Sequence, residues 1–89
     1  MKSFTTDRFR SMLKSLPIQI QRQARTAYKR FKQNQNHPSL RFKSIHTTKS
    51  IYSVRISRDY RAVGIRDKDE IVWFWISSHT EYEELLSRL

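Results

Sequence analysis

Hydrophobic residues in the first part of the chain recur at helical spacing. Over Thr6–Leu16 they occupy positions i, i+3, i+4 and i+7, which predicts an amphipathic helix. Pro17 breaks this helix and suits the first position of a second one, which runs to about Asn34. Because both apolar stripes need a partner, the pattern predicts a helical hairpin lying on a sheet. The stripes consist of Phe9, Met12, Leu13 and Leu16 in the first helix and of Ile20, Ala24, Ala27, Tyr28 and Phe31 in the second.

The second half of the chain has the short apolar runs of β-strands. Three strands are predicted over Ile51–Ser57, Tyr60–Arg66 and Glu70–Ser77. Two tight turns separate them, one at Arg58-Asp59 and one at Asp67–Asp69. Neighbouring strands joined by such short turns are antiparallel.

Three further segments complete the predicted elements. Alternating apolar and polar residues between Leu40 and Ile45 suggest a short extra strand, while Met1–Thr5 resembles a strand only poorly. The segment Thr80–Leu89 predicts a final short helix with Ser78 or Thr80 as its cap. The fold class is therefore α+β: an N-terminal helical hairpin packed on a small twisted antiparallel sheet, with a short C-terminal helix.

The pairing of the last two strands gives a packing reason for the only glycine. If these strands meet at the Asp67–Glu70 turn, Gly64 lies opposite Trp73 and Ala62 lies opposite Trp75. Small residues would thus face the two largest side chains. The last strand is apolar on both faces, so we expect it to lie inside the sheet rather than at an edge. The other face of the two strands would carry Val63, Ile65, Val72, Phe74 and Ile76.

Length and composition point to one small domain. The 89 residues fit a single domain spanning residues 1–89, and five Phe, four Tyr and two Trp must fill its core. The absence of cysteine fits a reducing compartment. The longest apolar run, Ile71–Ile76, is far too short to span a membrane, and no apolar signal region opens the chain. We therefore expect a cytoplasmic protein.

The net charge of +10 is concentrated in one half of the chain. Residues 1–44 contain eleven Lys and Arg residues against one acid, whereas residues 45–89 contain seven basic and seven acidic residues. A field this one-sided is typical of proteins that bind a polyanion or an acidic protein. The alternative is that basic helices only keep a small domain soluble.

Arg55 and Arg61 form the first candidate site. If the turn between their strands centres on Arg58, the two arginines lie opposite each other, where like charges repel. A bound anion would relieve that repulsion, and the planar guanidinium suits phosphate. Alternatively, each arginine pairs with a local acid such as Asp59, or the register differs by one residue.

His79 and Tyr82 form the second candidate site, where the last strand passes into the last helix. A histidine can transfer protons near neutral pH, and a tyrosine hydroxyl can donate one. With two arginines, such a pair resembles the requirements of metal-independent RNA cleavage, in which a base activates the 2′-hydroxyl and cations stabilise the phosphorane. Alternatively, His79 caps the helix and Tyr82 is a core residue.

A basic stripe marks one face of the second helix and a smaller basic group precedes the first long strand. Both could follow a phosphate backbone, although solvated helices often carry such a face. The three histidines lack metal-ligand spacing and one glycine cannot form a phosphate-binding loop, so no metal or cofactor is expected. The candidate RNA-binding residues are Arg22, Arg25, Lys29 and Lys32 on the helix, and Arg41, Lys43 and Lys49 beyond it.

The order of elements resembles the RelE/ParE superfamily, the toxins of bacterial type II toxin–antitoxin modules. The resemblance spans about Phe9 to Leu86. It rests on the Leu16-Pro17 hinge, the HPSL segment at residues 37–40 and three motifs in the second half. These motifs are Tyr52-x-Val54-Arg55, Asp59-Tyr60-Arg61 and the SHxEY segment that ends at Tyr82.

The resemblance implies a function and partners. In the RelE-like branch, which we favour, it implies a metal-independent endoribonuclease that cuts mRNA, often on the ribosome, and so inhibits translation. Arg61, Arg55, His79 and Tyr82 match the positions of the catalytic set. An acidic antitoxin is the implied protein partner. The alternatives are a ParE-like inhibitor of DNA gyrase without catalysis, or a degenerate homologue that binds RNA or protein. The weak first strand and Ser53, at a position that is often basic in the ribonucleases, depart from the RelE-like pattern.

Overall fold

The protein is a five-stranded sheet with helices on both faces, described over residues 1–89 by a computed structural model. The sheet order is β1-β5-β4-β3-β2. A 3₁₀ turn at Pro38–Leu40 precedes β2. The elements in chain order are β1 (Lys2–Thr5), α1 (Asp7–Lys14), α2 (Ile18–Gln33), β2 (Lys43–Ser44), β3 (Ile51–Ser57), β4 (Tyr60–Asp67), β5 (Glu70–Ser78) and α3 (His79–Arg88).

Hydroxyl groups cap α1 and α3. The hydroxyl of Thr6 accepts a hydrogen bond from the backbone N–H of Phe9 at 3.0 Å. Pro17, predicted at the first helical position, is instead the N-cap residue of α2. Ser78 rather than Thr80 caps α3, since its hydroxyl accepts from the N–H of Glu81 at 3.3 Å. The predicted helices, the three long strands and the α+β class are confirmed.

Two details of the sheet differ from the prediction. Met1–Thr5 contains a strand after all: β1 pairs with β5, in parallel, so only β2 to β5 form an antiparallel sheet. Strand β5 lies between β1 and β4, inside the sheet as predicted, which explains why it is apolar on both faces. The predicted strand between Leu40 and Ile45 shrinks to two residues, because Leu40 ends the 3₁₀ turn and Arg41 adopts a left-handed conformation with φ of 46°.

A β-bulge in β5 changes the predicted faces. The pairing passes from Val63 opposite Trp75 to Gly64 opposite Trp73, so that Phe74 is an extra residue on β5. Gly64 therefore faces Trp73 as predicted, whereas the predicted pairing of Ala62 with Trp75 is wrong, because Ala62 lies opposite Ile76.

The bulge also places the two tryptophans on opposite faces of the sheet. Trp73 and Ile76 belong to the core beneath α1 and α2, together with Phe9 and Phe31. Trp75 belongs to a second core beneath α3. The prediction that Ile76 shares a face with Val63 is therefore wrong. That second core contains Ile51, Val63 and Tyr82 as its other buried members.

Helices α1 and α2 rest on one sheet face without closing over it. An apolar cavity of about 210 Å³ remains between them, lined by Phe9, Leu13, Tyr28 and Val54 among others. The lining is mostly hydrophobic and also includes Arg25 and Arg10, the latter ion-paired with Asp7. No helix of the molecule is long and apolar enough to cross a membrane.

Candidate functional site

The centre of the candidate site is the pair formed by Arg55 on β3 and Arg61 on β4. The two residues are direct cross-strand partners, as the turn at Arg58 predicted. A register shift between Arg55 and Ser57 accompanies the tight turn that follows. Like charges placed directly opposite each other destabilise a hairpin, and neither arginine forms an ion pair within the protein. The alternative that each arginine pairs with a local acid is therefore not what the structure contains.

The Arg61 side chain is partly buried, and only one of its three nitrogen atoms forms hydrogen bonds. Its Nη1 donates to the carbonyl oxygens of Ser57 at 2.8 Å, of Tyr60 at 2.9 Å and, more weakly, of Arg58 at 3.3 Å. These bonds fix the guanidinium against the turn and leave Nε and Nη2 without a protein partner. Two donors of a fixed, planar group thus remain for an anion.

The pKa of Arg61 is lowered, which reports the electrostatics of the site. Desolvation by burial is the main cause, and the charge of Arg55 is the next. Arg41 acts in the same direction, so three cations lie near one another there. The opposing effects of Tyr82 and Asp59 are smaller than that of burial, and the site keeps an unbalanced positive charge.

His79 lies at the first turn of α3 with its ring exposed. Its Nε2 is 3.1 Å from Oε1 of Glu83, one helical turn further on. Its backbone N–H donates to the carbonyl of Asp59 at 2.6 Å, which ties the start of α3 to the turn between β3 and β4. The His79 and Tyr82 rings are 5.9 Å apart between centroids. The predicted pair is therefore adjacent, but only His79 is open to solvent.

Tyr82 is a buried residue of the core beneath α3. Its hydroxyl donates to Oγ of the buried Ser53 at 3.0 Å, and its ring centroid lies 6.3 Å from that of Trp75. Because side chains alternate along β3, Ser53 shares a face with Arg55. Tyr82 thus connects the helix to the strand that carries Arg55, and its proton is directed into the protein.

Sequence reasoning did not single out Ser77, which the structure places beside Arg61 and in contact with Glu81. Ser77 is the cross-strand partner of Arg61, and its hydroxyl donates to Oε2 of Glu81 at 2.7 Å. The signal for this contact was the Ser78-x-x-Glu81 spacing at the helix start, which resembles a capping box. Here the carboxylate is held by the serine one residue earlier.

The predicted RNA-binding residues do not form one surface. Lys43 lies opposite Ser53 on β2, next to the strand that carries Arg55, and Arg41 is close enough to lower the pKa of Arg61. Lys49 is exposed in the loop between β2 and β3. The basic residues on α2 have different surroundings. Arg22 lines a cleft shared with Arg55, and Arg25 lines the apolar cavity. Lys32 lies over the Tyr28 ring, and Lys29 is exposed.

Comparisons with known proteins agree with this architecture. A family model described as a ParE-like toxin domain matches residues 18–84, which is most of the chain. No curated protein matches the sequence.

Several solved structures have the same fold, among them three from different organisms. The RelB–RelE antitoxin–toxin complex from Methanococcus jannaschii superposes with a TM-score of 0.72 at 19% identity, covering 92% of this chain and 96% of that one. YafQ from E. coli strain BL21(DE3) gives 0.72 at 6% identity, with 91% and 96% covered. The RelE–RelB complex from Pyrococcus horikoshii OT3 gives 0.69 at 14% identity, with 88% and 93% covered. At these identities the likeness establishes the fold.

Proposed function

The chain belongs to the family of ParE-like toxin domains, within the RelE/ParE superfamily of toxins, and we propose that it acts as a metal-independent endoribonuclease. Its substrate is mRNA, bound in the cytoplasm and engaged on the ribosome, so that the protein inhibits translation. The observation that supports this proposal is the unpaired arginine couple of Arg55 and Arg61 on the sheet face that α3 covers. A purely structural hairpin gains nothing from two cations placed opposite each other.

Arg55 and Arg61 hold the scissile phosphate in the proposed mechanism. The free Nε and Nη2 donors of Arg61 bind two non-bridging oxygens, and Arg55 adds the charge that stabilises the dianionic phosphorane. Arg61 needs little reorganisation for this task because its Nη1 is already fixed by the carbonyls of Ser57 and Tyr60.

Proton transfer falls to the residues at the start of α3. A base removes the 2′-hydroxyl proton, the 2′-oxygen attacks phosphorus, the bond from phosphorus to the 5′-oxygen breaks, and that oxygen receives a proton. We assign His79 to proton transfer, with Glu83 orienting its ring, and Glu81 is a second candidate base. Tyr82 reaches the reaction only through Ser53, so we assign it a positioning role.

The proposed protein partner is an acidic antitoxin. Two features support it: the net charge of +10, and the apolar cavity between α1 and α2, which Arg25 also lines. An apolar segment flanked by carboxylates would match both the hydrophobic lining and the positive charge. Two of the structural relatives are themselves complexes of RelE with RelB.

The test is a pulse-label of protein and DNA synthesis after induction in a bacterial host, comparing the wild type with Arg61→Gln and His79→Gln. We expect the wild type to stop protein synthesis first. Each variant should cleave RNA at least about 100-fold more slowly, the scale for losing one stabiliser of transition-state charge at Arg61 or one proton-transfer group at His79. Arg66→Gln is the matched control, because Arg66 lies on the same strand but its guanidinium lies over the rings of Phe42 and Tyr52.

Each other outcome contradicts a specific part of the proposal. Full toxicity of Arg61→Gln and His79→Gln would remove both from the site. An early loss of DNA synthesis with translation intact would favour the alternative of a ParE-like gyrase inhibitor without catalysis. Growth without any effect, while folded protein accumulates, would refute toxicity itself.

A further inference from the structure

A second basic feature lies outside the Arg55–Arg61 couple, in a cleft between α2 and the end of β3. We call it the arginine cleft; it has a volume of about 480 Å³. Four arginines from three parts of the chain converge on it, and no acidic residue lines it. The four are Arg22 and Arg30 on α2, Arg55 on β3 and Arg58 in the following turn.

None of these arginines is neutralised within the protein. The three ion pairs of the molecule involve other residues. The only side-chain hydrogen bond formed by these four arginines is a long one, from Nη1 of Arg30 to Oγ of Ser39 at 3.4 Å. Four arginines that line one cleft without an acidic residue concentrate positive charge there, and a bound anion would offset it.

The lining has the polar character of an anion site. Besides the arginines it includes Gln23, Thr26 and Ser39, whose amide and hydroxyl groups can donate hydrogen bonds to phosphate oxygens. The apolar cavity between α1 and α2 is a separate space, with a lining that is mostly hydrophobic. The two pockets therefore suit different ligands.

Arg55 connects the cleft to the candidate reaction site. It lines the cleft and is also the cross-strand partner of Arg61. The two anion sites are consequently neighbours on one short stretch of β3, which suits a ligand with regularly repeated charges better than one with isolated carboxylates. We propose that the arginine cleft binds a backbone phosphate of the RNA strand next to the one that is cleaved.

The inference rests on the proposed function, because it takes the substrate to be RNA. Its ligand is a phosphodiester recognised by charge and not by base, so the site adds affinity and salt dependence without sequence preference. Arg30 and Arg58 suit a test of the cleft because neither belongs to the reaction site, whereas Arg55 is shared with it.

Binding of a fluorescent 2′-O-methyl oligoribonucleotide, which cannot be cleaved through a blocked 2′-oxygen, tests the cleft by anisotropy across a KCl series. The Arg30→Gln/Arg58→Gln protein is expected to bind at least about tenfold more weakly at low salt. The slope of log affinity against log salt should fall by about 0.7, because the cleft neutralises one phosphate and each phosphate contact on a single strand contributes about 0.7. Both residues are exposed, so the substitutions leave the core unchanged.

Arg8→Gln/Lys14→Gln provides the matched control. Both residues are exposed on α1 and lie outside the cleft, and the two substitutions remove the same amount of charge. This control should change the slope by less than half as much. Equal effects of the two double variants would overturn the inference and leave the proposed function standing. No RNA binding by the wild type would overturn both. A cleft variant that loses a glutamate-rich peptide and keeps the RNA would instead assign the cleft to an acidic protein segment.

Discussion

At the scale of single residues, the electrostatics of Arg55 and Arg61 conflict with stability. The two cations face each other across the hairpin, and burial adds to the cost at Arg61, whose pKa is lowered. Residues retained against stability are typical of functional sites, where local rules are broken for the sake of a ligand. Removing one of the two charges is therefore expected to raise stability and to lower activity.

Arg55→Gln is expected to raise the free energy of unfolding while lowering RNA cleavage. Removing one of two opposed like charges relieves about 0.2–1 kcal/mol in a sheet. Thermal unfolding in a buffer without phosphate or sulfate measures the effect, and Arg66→Gln is again the comparison. That control should unfold at a lower temperature, because Arg66 loses its contacts with the Phe42 and Tyr52 rings. A less stable Arg55→Gln protein would show that the couple has a structural role.

His79 and Tyr82 show what a residue pattern predicts about a site and what it does not. The sequence placed both at the start of the last helix, which is correct. It could not distinguish the ring that faces solvent from the ring that enters the core, because the last strand and the helix had no known orientation. The hydrogen bond from Tyr82 to Ser53 joins residues 29 positions apart, and no local pattern contains it.

At the scale of elements, the pairing of β4 with β5 determines how both cores form. The bulge at Phe74 rotates the last part of β5, so that Trp73 faces α1 and α2 while Trp75 faces α3. Strict alternation would have placed both tryptophans on one face. One extra residue thus lets a single strand supply a large aromatic ring to each core.

Gly64→Ala is expected to destabilise the protein by about 1–3 kcal/mol, the usual cost of overpacking. A Cβ atom at this position would lie 2.8 Å from Cε3 of Trp73 and 2.9 Å from the carbonyl oxygen of Val72, and the backbone atom cannot move aside cheaply. Denaturant unfolding measures the loss.

A double-mutant cycle with Trp73→Phe identifies the cause, because phenylalanine lacks the ring that carries Cε3. The double variant should lose less stability than the sum of the single losses. Strict additivity would mean that the Val72 carbonyl, and not the indole, limits the space at Gly64.

At the scale of the whole molecule, charge opposes folding. The net charge of +10 is confined to a body with principal extents of 33 × 31 × 26 Å, and only three ion pairs offset it. One of these pairs depends on protonation of His79. Exposed pairs contribute little, so repulsion within the basic half dominates the long-range electrostatics.

Raising the KCl concentration from about 0.01 M to about 0.1 M is therefore expected to raise the melting temperature by a few degrees. Over this range the Debye length falls from about 30 Å, which spans the molecule, to about 10 Å. In a domain of this size about 1 kcal/mol corresponds to roughly 4–8 °C. A falling melting temperature would mean that attractive pairs outweigh the repulsion.

The sequence by itself determined the helices, the three long strands, the location of the charge and the opposition of Arg55 to Arg61. These features depend on neighbours a few residues apart, on periodicity and on one tight turn. Only the tertiary structure decided the parallel strand β1, the bulge at Phe74 and the arginine cleft. The weak Met1–Thr5 strand forms because β5 offers it an edge. The cleft requires α2, β3 and a turn to meet, a contact between distant segments that no local pattern encodes.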